Sequence, residues 1–334
     1  MHRCYRKSHS ANLSESGVCT QAGLTLVELM ISMTVGLIVV MAATSLLIST
    51  KSGYLVQDDE VHMQDTARYA IEVISRAIRQ SSFENWDVAE VPLVVGPRVS
   101  GLDARRLTSR TDGMTVPEAR SINGSDVLAV RFSGSGTGDH GDGTMTNCAG
   151  FGVAAAVSGQ SIDEGQGWSI FYVGQDSTGE NELYCKYRGA NGWSSQAIAR
   201  GVETFQVLYG VDTDLDGLPN QYLTATAIDT LSDAFVQSQL DHTNSVSEGG
   251  ANSDWNKVVS VKFALLLRGS HRLSDGDSMG VYDLFGSDYA EAHGDSDPGV
   301  RIMESVLPKS ARGKRRRIFS TTIQLRPLLK EDPK

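Results

Sequence analysis

The hydrophobic pattern changes character along this chain, and each change predicts a different kind of element. From Leu24 to Ile48 there are 25 residues with one charge, Glu28, and otherwise only apolar, small or hydroxyl side chains. At 1.5 Å of rise per residue such a helix reaches roughly 37 Å, enough to cross a hydrocarbon core of about 30 Å. The next pattern is a stripe: Ala67, Ala70, Ile71, Ile74 and Ile78 recur three and four residues apart, while Asp65, Arg68, Glu72, Arg76 and Arg79 occupy the other faces. That is the signature of a helix with one buried side. With no proline before Pro92, one helix over 24–82 is expected, loosened near Ser52-Gly53. The stripe is too short for three heptads of coiled coil, so its partner is expected to be a sheet.

After Val91 the pattern turns to short apolar runs separated by Gly, Asn and Asp. Residues 126–132, 168–173, 183–187, 204–209, 258–268 and 318–326 read as strands, and their spacing predicts an antiparallel meander. Residues 133–143 hold Gly134, Gly136, Gly138 and Gly141. No helical pattern follows them, so they read as a flexible loop and not as a dinucleotide fingerprint. Residues 229–255 are polar and read as a helix-plus-loop insertion.

Charge and leader composition orient the apolar helix. Residues 1–23 carry Arg3, Arg6 and Lys7 against Glu15, a net +2. Positive charge ahead of an apolar helix keeps that end cytoplasmic. The apolar segment is longer than that of a secretory signal, and no small-x-small cleavage site follows it. The whole chain carries −10; without the leader the remainder carries −12. So acidic a body argues against general nucleic-acid binding.

A carboxylate five residues into a membrane helix is costly without a partner. Gly23-Leu24-Thr25-Leu26-Val27-Glu28 ahead of an apolar run resembles the processing site of type IV prepilins. The resemblance implies cleavage between Gly23 and Leu24 by the prepilin peptidase, N-methylation of Leu24, and an assembly role for Glu28. In that class the acid pairs with a neighbouring subunit's terminal amine. This chain has Leu24 where the class most often has Phe. A 23-residue leader is long for the class, and an upstream-misplaced start codon would explain it. Cys4 and Cys19 leave with the leader. Cys148 and Cys185 then remain in an oxidising compartment, where a disulfide is expected.

Asp212-Thr213-Asp214-Leu215-Asp216-Gly217-Leu218-Pro219-Asn220 has the carboxylate spacing and central glycine of a calcium loop. Asp212, Asp214, Asp216, the Leu218 carbonyl and Asn220 are the candidate ligands. The twelfth position is Leu223, so the closing bidentate acid is missing. The same residues also read as a hairpin turn. The entry Leu208-Tyr209-Gly210-Val211-Asp212 and the ending Arg316-Arg317-Ile318-Phe319-Ser320-Thr321-Thr322 resemble the PilW group of minor pilins. A basic run, Lys309, Arg312 and Lys314 to Arg317, precedes that ending. It reads foremost as a solvated turn, with contacts to an acidic neighbour or to DNA as alternatives.

Gly276-Asp277-Ser278-Met279-Gly280 matches a serine-hydrolase elbow, but no buried strand runs directly into it. His271 and His293 have neither metal nor triad spacing. No enzymatic activity is expected.

The resemblance implies an α+β pilin-like fold: a long N-terminal helix, transmembrane then amphipathic, packed on an antiparallel β-sheet head. Its divisions are a leader at 1–23, a membrane half at 24–50, an amphipathic half at 51–82 and a head at 83–334. Implied partners are the prepilin peptidase, other minor pilins, the major pilin, the platform protein, a tip adhesin and the inner membrane, with no direct nucleic-acid contact. The chain would sit in the inner membrane with its head in the periplasm and then enter the pilus, where it would help prime assembly at the tip. Two alternatives are a minor pseudopilin of type II secretion and a membrane-anchored surface-binding protein. No cofactor is required, apart from the candidate calcium.

Overall fold

The computed structural model describes residues 23–81, 83, 97–118, 120–157, 166–189, 191–231, 254–272 and 280–326. Its contacts divide the chain into two units, residues 1–55 and 56–334.

In the first unit the long helix α1 begins (α1 spans Leu26–Gln80). Every described residue from Gly23 to Tyr54 is exposed, including Leu26, Leu37, Ile38, Leu46 and Leu47. By length and composition α1 is long and apolar enough to cross a membrane. Its hydroxyls suit that environment. Ser32, Thr34, Thr44, Ser45, Thr50 and Ser52 each donate to a carbonyl three or four residues back in the same helix. No hydroxyl in this group needs water to satisfy its donor.

In the second unit the rest of α1 packs against a β-rich body. The strands are β1 (Val99–Leu102), β2 (Val127–Ser133), β3 (Gln166–Gln175), β4 (Asn181–Gly189), β5 (Gly192–Arg200), β6 (Val202–Val211), β7 (Gln221–Leu223), β8 (Val258–Arg272), β9 (Val281–Asp283), β10 (Arg301–Met303) and β11 (Lys314–Gln324). A short helix α2 spans Ser287–His293. β1 to β5 form an antiparallel meander in sequence order. The meander ends there: β6 belongs to a second antiparallel sheet of order β11-β8-β6-β7. The change of sheet occurs at Gly201, whose φ of +73° suits glycine and strains other residues.

One core joins the helix to both sheets. Met63, Ala67, Ala70, Val73, Ile74, Ala77 and Ile78 of α1 are buried with Leu128, Phe171, Leu183, Phe205, Phe263 and Leu265. Ile71, expected in the buried stripe, is only partly buried, and Val73 and Ala77 lie deeper. Three alanines on this face let the helix backbone approach the sheets closely. Ile74 is fully buried, worth roughly 2–3 kcal/mol of apolar transfer. Both sheets are covered on their other faces as well. Val127, Ala129 and Ile170 pack with Leu107 and Trp168; Ala264 and Leu266 pack with Leu284, Ile302 and Leu307. Burial on two faces explains the continuous apolar runs Val127–Val130 in β2 and Phe263–Leu267 in β8.

The glycine-rich stretch after β2 is ordered by its own backbone. Ser135 N–H donates to Val153 O, Asp142 N–H to Ser135 O and Ala155 N–H to Gly136 O, all within 3.0 Å. This corrects the expected flexible loop: the glycines make the close approaches these pairings require. Residues 225–231 are helical and Asp254–Lys257 form a 3-10 turn, so the polar insertion begins and ends as structure, and its centre lies outside the described residues. Residues 1–22 of the leader and all of Gly276–Gly280 except Gly280 also lie outside them.

Candidate functional site

At the amino-terminal end the backbone explains where the helix starts. Thr25 precedes the first helical residue, and its Oγ1 accepts the Glu28 N–H at 3.3 Å. Thr-x-x-Glu is the spacing of a capping box, a signal in the sequence that the membrane pattern concealed. Gly23, Leu24 and Glu28 are exposed, and Gly23 and Leu24 lie just before the helix. Among the described residues nothing pairs with the Glu28 carboxylate.

Within the second unit another acid of α1 is treated in the opposite way. Asp59 is fully buried. Its Oδ1 accepts the Ser270 N–H at 3.0 Å and the Ser270 hydroxyl at 2.9 Å; His271 Nδ1 lies 2.9 Å away, and His271 N–H donates to Oδ2 at 3.2 Å. Burial pushes this carboxyl's pKa up, but the donors from His271 and Ser270 outweigh it and hold it below the usual value. Gly269 admits the acid, since a Cβ there would stand 2.6 Å from Asp59 Oδ2. The next residue, Glu60, pairs with Arg315 and Arg317.

Those pairs correct the reading of the basic run as a solvated turn. Arg316 is buried and donates to Glu304 Oε1 at 3.0 Å, with Glu203 Oε1 at 3.5 Å. Arg312 donates to the Leu307 and Ser305 carbonyls. Glu203 also lies 2.7 Å from Arg268 Nε, and Arg268 pairs with Glu180. The run opens β11, and buried or half-buried carboxylates of the same chain take up Arg315, Arg316 and Arg317. Pairing of this kind offsets part of the cost of burying the charges. Periodicity could not find these pairs, because their partners lie from 12 residues away, for Arg316 and Glu304, to 257, for Arg317 and Glu60.

The acidic loop is a hairpin between β6 and β7, with Tyr209 opposite Leu223 and Val211 opposite Gln221. Leu215 (φ +63°) and Gly217 (φ +88°) make the turn. Asp212 Oδ1 accepts Leu215 N–H at 2.6 Å and Oδ2 accepts Gly217 N–H at 2.8 Å. Burial raises the Asp212 pKa, and the Gly217 and Leu215 donors, together with hydrogen bonds from Asp214 and Asp216, hold it below the usual value. Carboxylate oxygens of Asp212, Asp214 and Asp216 gather within 4.8 Å of one another. Asn220 closes the loop instead, its Oδ1 accepting from Thr213 N–H and Oγ1. Leu218 gives its N–H to Asp216.

Cys148 and Cys185 form a disulfide, with Cα atoms 5.8 Å apart across 37 residues. It ties the loop after β2 to β4. Closing that length contributes roughly 3–4 kcal/mol in the chain-entropy account.

Two further groups were invisible in the sequence. Asp126, wholly buried, accepts from Ala104 N–H and Val207 N–H at 2.9 Å and so joins the two sheets; burial and nearby Asp103 push its pKa well up. Asp297 accepts the Tyr289 hydroxyl at 3.0 Å, and burial raises it to about 6.

Two regions match known families: residues 19–44 match the prokaryotic N-terminal methylation motif, and residues 170–327 match the type IV pilus-assembly protein W, PilW. No curated protein and no solved structure matches the chain. The methylation motif implies processing by a prepilin peptidase, and an exposed apolar helix fits inner-membrane anchoring before pilus entry. With the prepilin motif at its amino end and the W region over β3 to β11, the chain is similar at both ends to type IV pilus-assembly proteins of the W family.

Proposed function

We propose that this protein is a minor pilin that helps initiate type IV pilus assembly, acting in a small priming complex with other minor pilins at the pilus tip. The observation that carries the reading is the amino-terminal segment: a methylation motif, an acid without a partner among the described residues, and an apolar helix with no covering protein in its own unit. Such a segment gains stability by packing against like helices, with Glu28 meeting a neighbour's terminal amine in a medium where an unpaired charge is costly. The cut between Gly23 and Leu24, and methylation of Leu24, belong to this proposal. So do a leader at 1–23, membrane and amphipathic helix halves meeting near residue 50, and a head from 83. The proposed partners are the major pilin, the platform protein and a tip adhesin. The role is structural, with no chemistry of its own. Calcium at Asp212, Asp214 and Asp216 is a narrower proposal, supported by the gathering of their oxygens.

The test is deletion of the chain with the other pilus components intact, together with immunogold labelling of the head. Priming at the tip requires that pili become few and that label sit at filament ends. Normal pilus numbers, or label spread evenly along the filament, would refute it.

A further inference from the structure

Four strands form the edges of the two larger sheets: β1 and β5 in one, β7 and β11 in the other. An edge strand carries backbone donors and acceptors with no strand beside them, and native chains protect such edges by shortness, charge, proline or bulges. β1 has four residues and β7 three. β11 opens with Lys314, Arg315, Arg316 and Arg317. β5 is different. It runs nine residues, from Gly192 to Arg200, with no charge before Arg200 and no proline.

The register shows which of its groups are free. Gly189 pairs with Gly192 across a two-residue connection, and such a pair exchanges both its hydrogen bonds. The pairs then alternate. Ser194 and Gln196 bond to β4, opposite Tyr187 and Cys185, while Trp193, Ser195 and Ala197 turn their N–H and C=O groups away from it. Among the described residues no strand other than β4 pairs with β5. The regular stretch ends at Ile198, an extra residue between Ala197, opposite Tyr184, and Ala199, opposite Leu183.

Both faces beside that edge carry incompletely covered rings. On one face Trp193 packs edge-on to Trp168 and is only half-buried. On the other, Phe151 is 49% exposed and packs on half-buried Tyr187, the β4 partner of Ser194. A strand laid along Gly192–Ala197 would bond the three outward residues and extend both layers over these rings.

We propose that this edge receives an extended segment of another subunit as a sixth strand of the sheet, with apolar side chains on both its faces. The outward backbone groups select an extended backbone. The uncharged edge and the rings on either side select apolar side chains. The proposal rests on the pilus reading only for the identity of the subunit.

The test is residue-resolved amide hydrogen exchange, read by mass spectrometry on the full chain in detergent micelles. In the free chain Trp193, Ser195 and Ala197 should exchange much faster than Ser194 and Gln196. Slow exchange at those three amides would show an edge already paired and overturn the proposal. The probe is acetyl-Lys-Thr-Val-Thr-Phe-Thr-Lys-amide, its lysines keeping it soluble. At ~1 mM peptide an affinity of about 1 mM should slow the three outward amides about twofold and leave Ser194 and Gln196 unchanged. The equally charged acetyl-Lys-Thr-Pro-Thr-Pro-Thr-Lys-amide lacks the donors for a ladder and should have no effect. Equal slowing by both peptides, or none by either, would overturn the proposal. In purified filaments the same three amides should exchange about tenfold more slowly than in the membrane pool. Equal rates in the two pools would overturn another subunit as the source. Absence of the chain from filaments would refute the pilus reading instead, and the peptide arm would still decide the edge.

Discussion

Glu28 and Asp59 lie on one helix, and their surroundings differ in every respect. Glu28 is exposed among apolar side chains with no partner among the described residues. Asp59 is buried, and Ser270 and His271 satisfy both its oxygens. On the proposed reading the first acid meets another molecule; the second is bonded inside this one. The same division runs through the helix's apolar residues, exposed up to Tyr54 and buried from Met63 to Ile78. One continuous helix therefore does two unrelated jobs, and substitutions should separate them.

The largest separation is expected at the acids. Glu28→Ala should remove the chain from filaments while leaving the unfolding midpoint of the full chain in micelles unchanged. Asp59→Ala should cost about 2–4 kcal/mol of head stability, because it strands buried donors. If both variants changed stability alike, the division would fail.

The apolar halves give the next contrast. Ile74→Ala should destabilise the head by about 2–5 kcal/mol through loss of buried contacts and the cavity left behind. Ile38→Ala should stay within about 0.5 kcal/mol by the same denaturation measurement. Equal losses would mean that the first half is also core.

pH sharpens the comparison, since two buried acids of the head respond with opposite sign. Asp59 has a lowered pKa, so its stabilisation is present above about pH 4 and fades as pH falls through its folded value. Asp297 is raised to about 6; its contribution is complete below about pH 4 and is lost as pH rises through 6. Asp297→Asn should therefore raise the unfolding midpoint at pH 7 relative to the unsubstituted chain and leave it nearly unchanged at pH 4. The reverse order would show that Asp297 is not the group that titrates.

The smallest effect is expected at the acidic loop. Millimolar calcium should raise the unfolding midpoint by a few degrees, and Asp214→Ala with Asp216→Ala should abolish that shift. A shift that survives the double substitution would place calcium elsewhere.

How much the sequence could reveal follows from the range of the interactions. The membrane helix, the Ala/Ile stripe and the strands around Val127, Phe171, Val207 and Phe263 repeat with local periods, so they were legible. The Asp212–Asn220 hairpin was legible because Gly217 and the aspartates carry its turn locally. Asp59, Asp126 and Arg316 were not, because each is defined by partners far along the chain that no period announces. β5 and the break after it were missed for a related reason: Gly192–Arg200 carries no apolar run, and nothing local marks Gly201 as the passage to a second sheet. The basic run misled because charge composition resembles solvation until its carboxylates are in place.

On the proposed reading the first half of α1 serves processing and contact with other subunits. The most direct test is the intact mass of the membrane-extracted protein from cells with and without the prepilin peptidase. The account predicts loss of residues 1–23 and one added methyl on Leu24 when the peptidase is present, and the full leader when it is absent. A leader retained in the presence of active peptidase would contradict it and leave Glu28 without a role.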